Sequence, residues 1–273
     1  MDELRRLLIQ RQIESESPKP RHVVFLDMLG FSSLTEAHPN PMAWEFDSDD
    51  SVVSHTTESA SQLGRFQHVL NTIPVDVVDG TSPSHLMLFS DCAFLVYDNA
   101  LLAAVSSTQL MRRFFHQAVP IRMGLAHGTW HPERFSFDTF GSLTVTRSVF
   151  YGTGVVRAHD SERQGGKGFR IFLHASISES DIDAITKRVP VLRTPEESST
   201  APSELNYLHL DDGLNNPAER KDSLFEQRLT QMRQRLTVPV SPQVQRQYTD
   251  TFTALNRMRR QLGRPDFVAE PAF

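Results

Sequence analysis

His22-Val-Val-Phe-Leu-Asp27-Met28, followed by Leu29-Gly30-Phe31-Ser32-Ser33, sets the frame for the whole chain. Its first half is a short, nearly continuous apolar run, the pattern of a strand covered on both faces. One carboxylate, Asp27, stands at the end of that run. The small-residue turn after it leads into a short helix. Moving outward, residues 38–50 combine prolines, asparagine and an Asp-Ser-Asp-Asp cluster and read as a surface loop. A second helix is expected from about Ser51, with Leu63, Phe66, Leu70 and Ile73 on one face and Pro74 at its end. Leu86–Phe89 and Ala93–Tyr97 are apolar strands joined tightly at Ser90-Asp91-Cys92, a hairpin.

Asn99 is a good N-cap for a helix through His116. Strands follow at Ile121–His127 and near Leu143–Phe150, then a short helix from Tyr151-Gly-Thr-Gly through Glu162, ended by glycines 165, 166 and 168. Arg170–His174 is a last core strand. This order predicts an α+β fold, a mixed sheet with helices packed on one face. Residues 1–178 form one domain by this reading and 179–273 a C-terminal extension. In the extension, Glu196–Ser203 is linker-like, Leu205–Leu210 adds an edge strand, and 217–262 form a helical hairpin. Phe225, Leu229, Met232 and Leu236 make one apolar stripe; Val244, Tyr248, Phe252, Leu255 and Leu262 make the other. A lone hairpin buries little, so it must pack on the core or on a second subunit.

Composition narrows the function. The net charge of -5 over 273 residues does not suit a duplex-binding protein, so no nucleic-acid partner is expected. The single cysteine, Cys92, excludes an internal disulfide and a cysteine-rich metal site. The first residues alternate charges with leucines and lack the apolar core of a signal peptide. No apolar run is long enough to span a bilayer. A cytoplasmic protein without a membrane partner is the expectation.

Asp27 and Asp91 are each the lone carboxylate of an apolar run. If their strands are neighbours, both project at one edge of the sheet. Two carboxylates plus substrate phosphates suffice for hard cations such as Mg²⁺, and a pair of cations can serve both an attacking and a leaving oxygen. The turn at Leu29–Ser33 offers backbone N–H groups to phosphate. Aspartate is equally at home in a plain turn, and spacing alone does not decide between the two.

At these residues the chain resembles the class III nucleotidyl cyclases. Phe25-Leu-Asp27-Met-Leu-Gly30-Phe31-Ser-Ser33-Leu34 looks like that family's first-strand motif, and Leu88-Phe-Ser90-Asp91-Cys-Ala-Phe94 like its Gly-Asp hairpin with Ser90 in the glycine's place. Arg122-Met-Gly124-Leu-Ala-His127-Gly128 is similar to its Arg-Ile-Gly-Ile-His-x-Gly strand. Tyr151-Gly152-Thr-Gly-Val155-Val-Arg-Ala158 is similar to the start of its last helix. The resemblance spans residues 22–174. It implies a ferredoxin-like catalytic domain in which Asp27 and Asp91, with the Met28 carbonyl, hold two divalent cations, Mn²⁺ or Mg²⁺. The amides of Leu29, Gly30, Phe31, Ser32 and Ser33 would cradle the β- and γ-phosphates. It implies a head-to-tail homodimer with composite sites.

The chain departs from the family at the base. Where adenylate cyclases read adenine with a lysine and an aspartate, it has Met87 and Val149. The asparagine and arginine of the last helix are replaced by Val156 and Asp160, leaving Arg157 or Arg163 to supply charge at the transition state. Within the family, the features resemble the bacterial pyrimidine cyclases of anti-phage defence. They imply UTP, or CTP, as substrate, a cyclic monophosphate as product and a downstream effector that it activates. Arg65, Asn71 and the hydroxyls of Ser51–Thr57 are open candidates for reading the base. The departures also fit a cyclase-like module without catalysis. The Gly-Gly-Asp/Glu-Glu-Phe signature of enzymes that make cyclic dinucleotides is absent. The histidines, including His127, His131 and His159, lack metal-ligand spacing, the Asp47–Asp50 run lacks the Gly and Glu of a calcium loop, and Gly165–Gly168 lacks the spacing of a phosphate loop.

Overall fold

The computed structural model describes residues 19–46, 52–73, 83–139, 143–165, 168–192, 203–208, 227 and 242–266. Its strands are β1 (Lys19–Met28), β2 (Met42–Phe46), β3 (Val52–Thr56), β4 (His85–Leu88), β5 (Cys92–Tyr97), β6 (Ile121–Thr139), β7 (Leu143–Tyr151), β8 (Ile171–Leu173), β9 (Val191–Leu192) and β10 (Ser203–Leu205). Its helices are α1 (Phe31–Ala37), α2 (Glu58–Asn71), α3 (Ala100–His116), α4 (Thr153–Gln164), α5 (Glu179–Thr186) and α6 (Pro242–Gln261). Among the described residues no helix is long and apolar enough to cross a membrane.

The main sheet runs β4-β5-β1-β6-β8-β10-β9, with β7 paired to the outer half of β6. β1 lies between β5 and β6, antiparallel to both, and β4 is antiparallel to β5. Within β1, β4, β5 and β6 this is the β-α-β-β-α-β arrangement of a ferredoxin-like sheet. The apolar run of β1 is continuous because both faces are covered. Val24 and Leu26 face one core, with Phe66, Leu70, Met111 and Phe114. Val23 and Phe25 face another, with Phe94, Val96, Ala126, Trp130 and Ala158.

The α+β class is as the sequence led us to expect, but one detail of it differs. Helices α2 and α3 cover one face, whereas α4 covers the other through Ala158. Gly124 makes this possible. A Cβ there would lie 2.1 Å from the Ala158 carbonyl oxygen and 2.5 Å from the Glu162 nitrogen. Helix α4 therefore rests on bare β6 backbone. Gly124→Ala should cost about 3 kcal/mol, because the obstacle is main chain and cannot swing aside. Urea unfolding measures this, and a loss under 1 kcal/mol would mean that α4 does not sit this close.

Two further expectations are corrected. Within the stretch expected to be a loop, Met42–Phe46 is a strand, and Val52–Thr56 is a strand where the second helix was expected; residues 47–51 lie outside the described residues. β2 and β3 pair as a separate two-stranded sheet, and α2 begins at Glu58. The base of this hairpin is held by the Thr57 hydroxyl, which donates to the Asn40 carbonyl (2.8 Å), and by the Thr57 N–H on the Pro41 carbonyl (3.1 Å). The strand expected at Leu205–Leu210 is instead β10 at Ser203–Leu205, which begins in the last residue of the linker-like stretch; residues 206–208 leave the strand and 209–210 lie outside the described residues. β10 lies inside the sheet between β8 and β9, because the two-residue β9 pairs on its outer side and takes the edge.

Of the helical hairpin, α6 is described; the stripe Phe225–Leu236 and the Asp47–Asp50 run lie outside the described residues. α6 packs on the core through Tyr248, Phe252, Leu255 and Met258, each stabilising by about 1.5–3 kcal/mol as an upper estimate. Polar contacts fix its register. The Thr251 hydroxyl oxygen accepts from the Phe169 N–H (3.0 Å), and the Asn206 amide donates to the Met258 carbonyl (3.0 Å). Fully buried Glu204 pairs with both Arg170 and Arg257.

Candidate active site

The site lies where β1 ends. The last pairs of β1 place Asp27 opposite Cys92 on one side and Arg122 on the other. On the β5 side the hairpin closes through the Phe89 N–H on the Cys92 carbonyl (2.9 Å), which leaves Ser90 and Asp91 at the tip. The Met28 N–H donates to the Asp91 carbonyl (2.9 Å), so the tip is fastened to the end of β1. Asp27 and Asp91, 64 positions apart in sequence, are thus neighbours. The Ser90 hydroxyl donates to Asp91 Oδ1 at 2.9 Å and steadies that carboxylate. Both aspartates are half-buried.

The turn beyond Asp27 follows from Gly30, whose φ of 75° is the left-handed conformation that glycine tolerates. Gly30 caps α1 without a side-chain hydrogen bond, so the first-turn amides at Phe31, Ser32 and Ser33 point onward without an intrahelical acceptor. Leu29 is an exception to the expected cradle. Its N–H donates to the Pro120 carbonyl (2.9 Å), and its buried side chain belongs to the core. The amides on offer are those of Gly30–Ser33.

Two residues of this neighbourhood were missed as site residues in the sequence: Arg122 and Glu162. Both are buried and form an ion pair in which Arg122 Nε donates to Glu162 Oε1. The signal for them was the Arg122-x-Gly124 spacing, which puts an arginine and a contact glycine on the same face of β6, the face that receives α4. With Glu162 added, three carboxylates and one guanidinium converge on the end of β1. Burial, then the charges of Glu162 and Asp91, push the Asp27 carboxyl up to about 7 against the opposing pull of Arg122. The same surroundings push the Cys92 thiol up to about 11, which makes it a poor nucleophile.

Other sequence candidates fall elsewhere. Met87 is half-buried on β4, opposite Phe94 of β5, and packs against the cluster on the α4 face of the sheet to which Phe25, Phe94 and Trp130 belong. Its neighbours continue into an aromatic layer in which Phe94 meets Phe150 at 5.1 Å and Phe150 stacks on Trp130 at 5.2 Å. Val149 lies on β7 opposite Glu133; its side chain lies outside the described residues. Arg157 is not brought to the aspartates. It donates to the His127 carbonyl (3.0 Å), and His127 stands opposite His22 on the far part of β1, about 17 Å along β6 from Arg122 at the usual rise per residue. Arg163 is exposed on α4. Arg65 is occupied by Glu58 (2.8 Å) and Ser61 (3.0 Å). His127 stacks on His22 with ring centroids 4.8 Å apart.

The carboxylates of Asp27 and Asp91 offer oxygen donors, which suit a hard divalent cation, and the Cys92 thiol opposite Asp27 is held protonated. Among the described residues no group of three or more His, Cys, Asp or Glu could hold a metal ion. Any cation at Asp27 and Asp91 therefore needs further ligands from outside these side chains, and phosphate oxygens and water are the matching kind. The Asp27 carboxyl is raised first by burial and then by the neighbouring negative charges, and a cation would offset both.

No family model matches the chain, and no curated protein matches it. Among solved structures it is similar to the guanylyl cyclase Cya2, at 15% identity over 73% of this chain and 97% of that one, with a TM-score of 0.47. It is similar to the guanylate cyclase domain of RhGC from Catenaria anguillulae in complex with GTP, at 12% identity over 68% and 95%, with a TM-score of 0.45. It is also similar to adenylate cyclases from Trypanosoma brucei in their monomeric state, at 12% identity over 71% and 92%, with a TM-score of 0.42. At these identities the likenesses assign no role to any residue.

Proposed function

We propose that this chain is a nucleotidyl cyclase that converts a pyrimidine nucleoside triphosphate, UTP in the first place, to its 3′,5′-cyclic monophosphate and pyrophosphate. The observation that carries the reading is the meeting of Asp27 and Asp91 at the end of β1, beside a turn whose amides are free of intrahelical partners. Asp27, Asp91 and the Met28 carbonyl would hold two divalent cations, Mn²⁺ or Mg²⁺. Bound there, such ions supply a lower pKa for the ribose 3′-hydroxyl and charge relief for the departing pyrophosphate. Gly30–Ser33 receive the terminal phosphates through backbone N–H groups, which orients the chain of phosphates away from the sheet edge. With the α-phosphorus held over the two carboxylates, the 3′-oxygen attacks in line and the bond to the β-phosphate breaks.

Base choice rests on Met87, which stands in the slot where the adenylate cyclases it resembles carry a lysine. Met87 sits in an apolar and aromatic layer, and a thioether offers no donor to a purine edge. Arg157, engaged by its own His127 carbonyl, would reach a reacting phosphate only across a head-to-tail homodimer with composite sites, and that assembly is part of the proposal. A role in anti-phage signalling, with a cytoplasmic product that activates an effector, follows from the resemblance alone. CTP is the alternative substrate. A cyclase-like nucleotide-sensing or dimerisation module is the second reading, favoured by Val156, which is 60% exposed in the slot of the family's asparagine.

Incubating the purified protein with ATP, GTP, CTP and UTP separately, each with Mn²⁺ or Mg²⁺, and weighing the products by mass spectrometry tests the proposal. A cyclic monophosphate from UTP alone is the expected result, and one from CTP alone selects the alternative. Cyclic AMP would overturn the base assignment. Tight binding of a triphosphate without any product would favour the sensing module.

A further inference from the structure

The two aspartates of the candidate site are held in place by different means. Asp27 belongs to a strand with a paired strand on either side, so the sheet fixes its backbone through Cys92 and Arg122. Asp91 belongs to no strand. The Phe89 N–H on the Cys92 carbonyl (2.9 Å) leaves Ser90 and Asp91 as the two residues of a tight turn. The Met28 N–H anchors the main chain of Asp91 at its carbonyl (2.9 Å), but that contact does not reach the side chain. A half-buried carboxylate at a turn has several staggered rotamers open to it, and a cation that met it unrestrained would have to order it on binding.

Among the described residues, the hydrogen bond that restrains this carboxylate comes from Ser90, whose hydroxyl donates to Asp91 Oδ1 at 2.9 Å. Such a bond is strongest when the carboxylate is ionised, the form that a cation binds. It takes one lone pair of one oxygen, so Oδ2 and the second lone pair of Oδ1 stay open. We infer that Ser90 is a positioning residue for Asp91: its hydroxyl fixes the orientation in which the carboxylate meets a divalent cation. This rests on the cyclase reading in one respect, that Asp91 is a cation ligand. The hairpin that this tip resembles carries glycine at the position of Ser90, and a glycine could not supply the bond. Serine at a turn can also serve the turn itself. In that case its loss would lower stability and leave cation binding unchanged, so the two roles separate by experiment.

The test is Mn²⁺ binding to the full chain, read from the free-ion resonance in electron paramagnetic resonance titrations, with the thermal unfolding curve of each variant beside it. Ser90→Ala removes the hydroxyl. Its Mn²⁺ affinity should fall about tenfold, the lower end of the loss that follows when a hydrogen bond behind a metal ligand is removed, while its melting temperature stays within a few degrees of the parent's. Ser90→Gly, which a turn accommodates readily, should bind as weakly as Ser90→Ala. Ser90→Thr keeps the hydroxyl and should bind within about threefold of the parent. A folded Ser90→Ala that binds Mn²⁺ as the parent does would overturn the inference and leave the cyclase reading standing. So would a Ser90→Thr that binds no better than Ser90→Ala, since the hydroxyl would then not be the group that matters. If the parent itself binds no Mn²⁺, the assignment of Asp27 and Asp91 as cation ligands falls, and the inference falls with it.

Discussion

Asp27→Ala and Asp91→Ala should each lower cyclisation by about a thousandfold or more while the chain remains folded. A thousandfold corresponds to about 4 kcal/mol of transition-state stabilisation, the several kcal/mol that a catalytic cation contributes as a Lewis acid. Neither change empties the core. Asp27 and Asp91 are half-buried at the rim of the sheet, and the contact that fastens the hairpin tip to β1 runs through backbone, from the Met28 N–H to the Asp91 carbonyl. Activity and folding should therefore separate. Product formation by mass spectrometry and the thermal unfolding curve are measured on the same samples. Near-parental turnover in either variant would remove the two-cation reading, and an unfolded variant would show that the carboxylates hold the tip in place themselves.

The parts of this site that were legible in the sequence are local ones. β1 and the hairpin declare themselves as apolar runs interrupted by one acid each, and Asn99 declares α3, where its Oδ1 accepts from the Leu101 and Leu102 N–H groups. What was not legible depends on register. Arg122 and Glu162 come together only because β6 lies beside β1 and because Gly124 admits α4 to that face. An apolar strand reads the same whichever face a helix covers, so periodicity could not place α4 opposite α3. β2 was hidden differently. Met42-Ala-Trp-Glu-Phe46 carries good strand formers, but prolines on one side and acids on the other gave it the composition of a loop. The Leu29 amide illustrates the same limit at smaller scale, since its acceptor, the Pro120 carbonyl, is far away in sequence.

The apparent affinity for Mn²⁺ should rise steeply with pH up to about 7 and then level off. The cation binds the ionised carboxylate, and below the Asp27 value of about 7 a proton competes for it, up to about tenfold per pH unit. Between pH 5 and pH 8 this amounts to about a hundredfold, measured by Mn²⁺ titrations of turnover at each pH. An affinity constant over that range would mean that Asp27 is not the cation's ligand, or that its carboxyl is not held up. The same shift has a consequence for the cation-free protein, with a definite sign. An unfolded aspartate ionises near pH 4. Between there and about 7 the folded chain binds a proton that the unfolded chain does not. The stability this provides is complete below about pH 4 and is lost as pH rises through 7. Asp27→Asn mimics the protonated state at every pH. At pH 8 it should raise stability by about 1–2 kcal/mol, a figure discounted for the half-exposed setting of the side chain, and the melting temperature by a few degrees. The parent should recover the difference when Mn²⁺ is added, because a ligand that binds only the folded state stabilises it, and the Asn variant should gain little. A variant that is dead yet more stable than its parent, and that the cation no longer stabilises, is the combination to expect of a cation-binding carboxylate held up by burial and by neighbouring negative charge. A carboxylate that merely completes a turn would show neither the gain in stability nor the loss of the cation's effect.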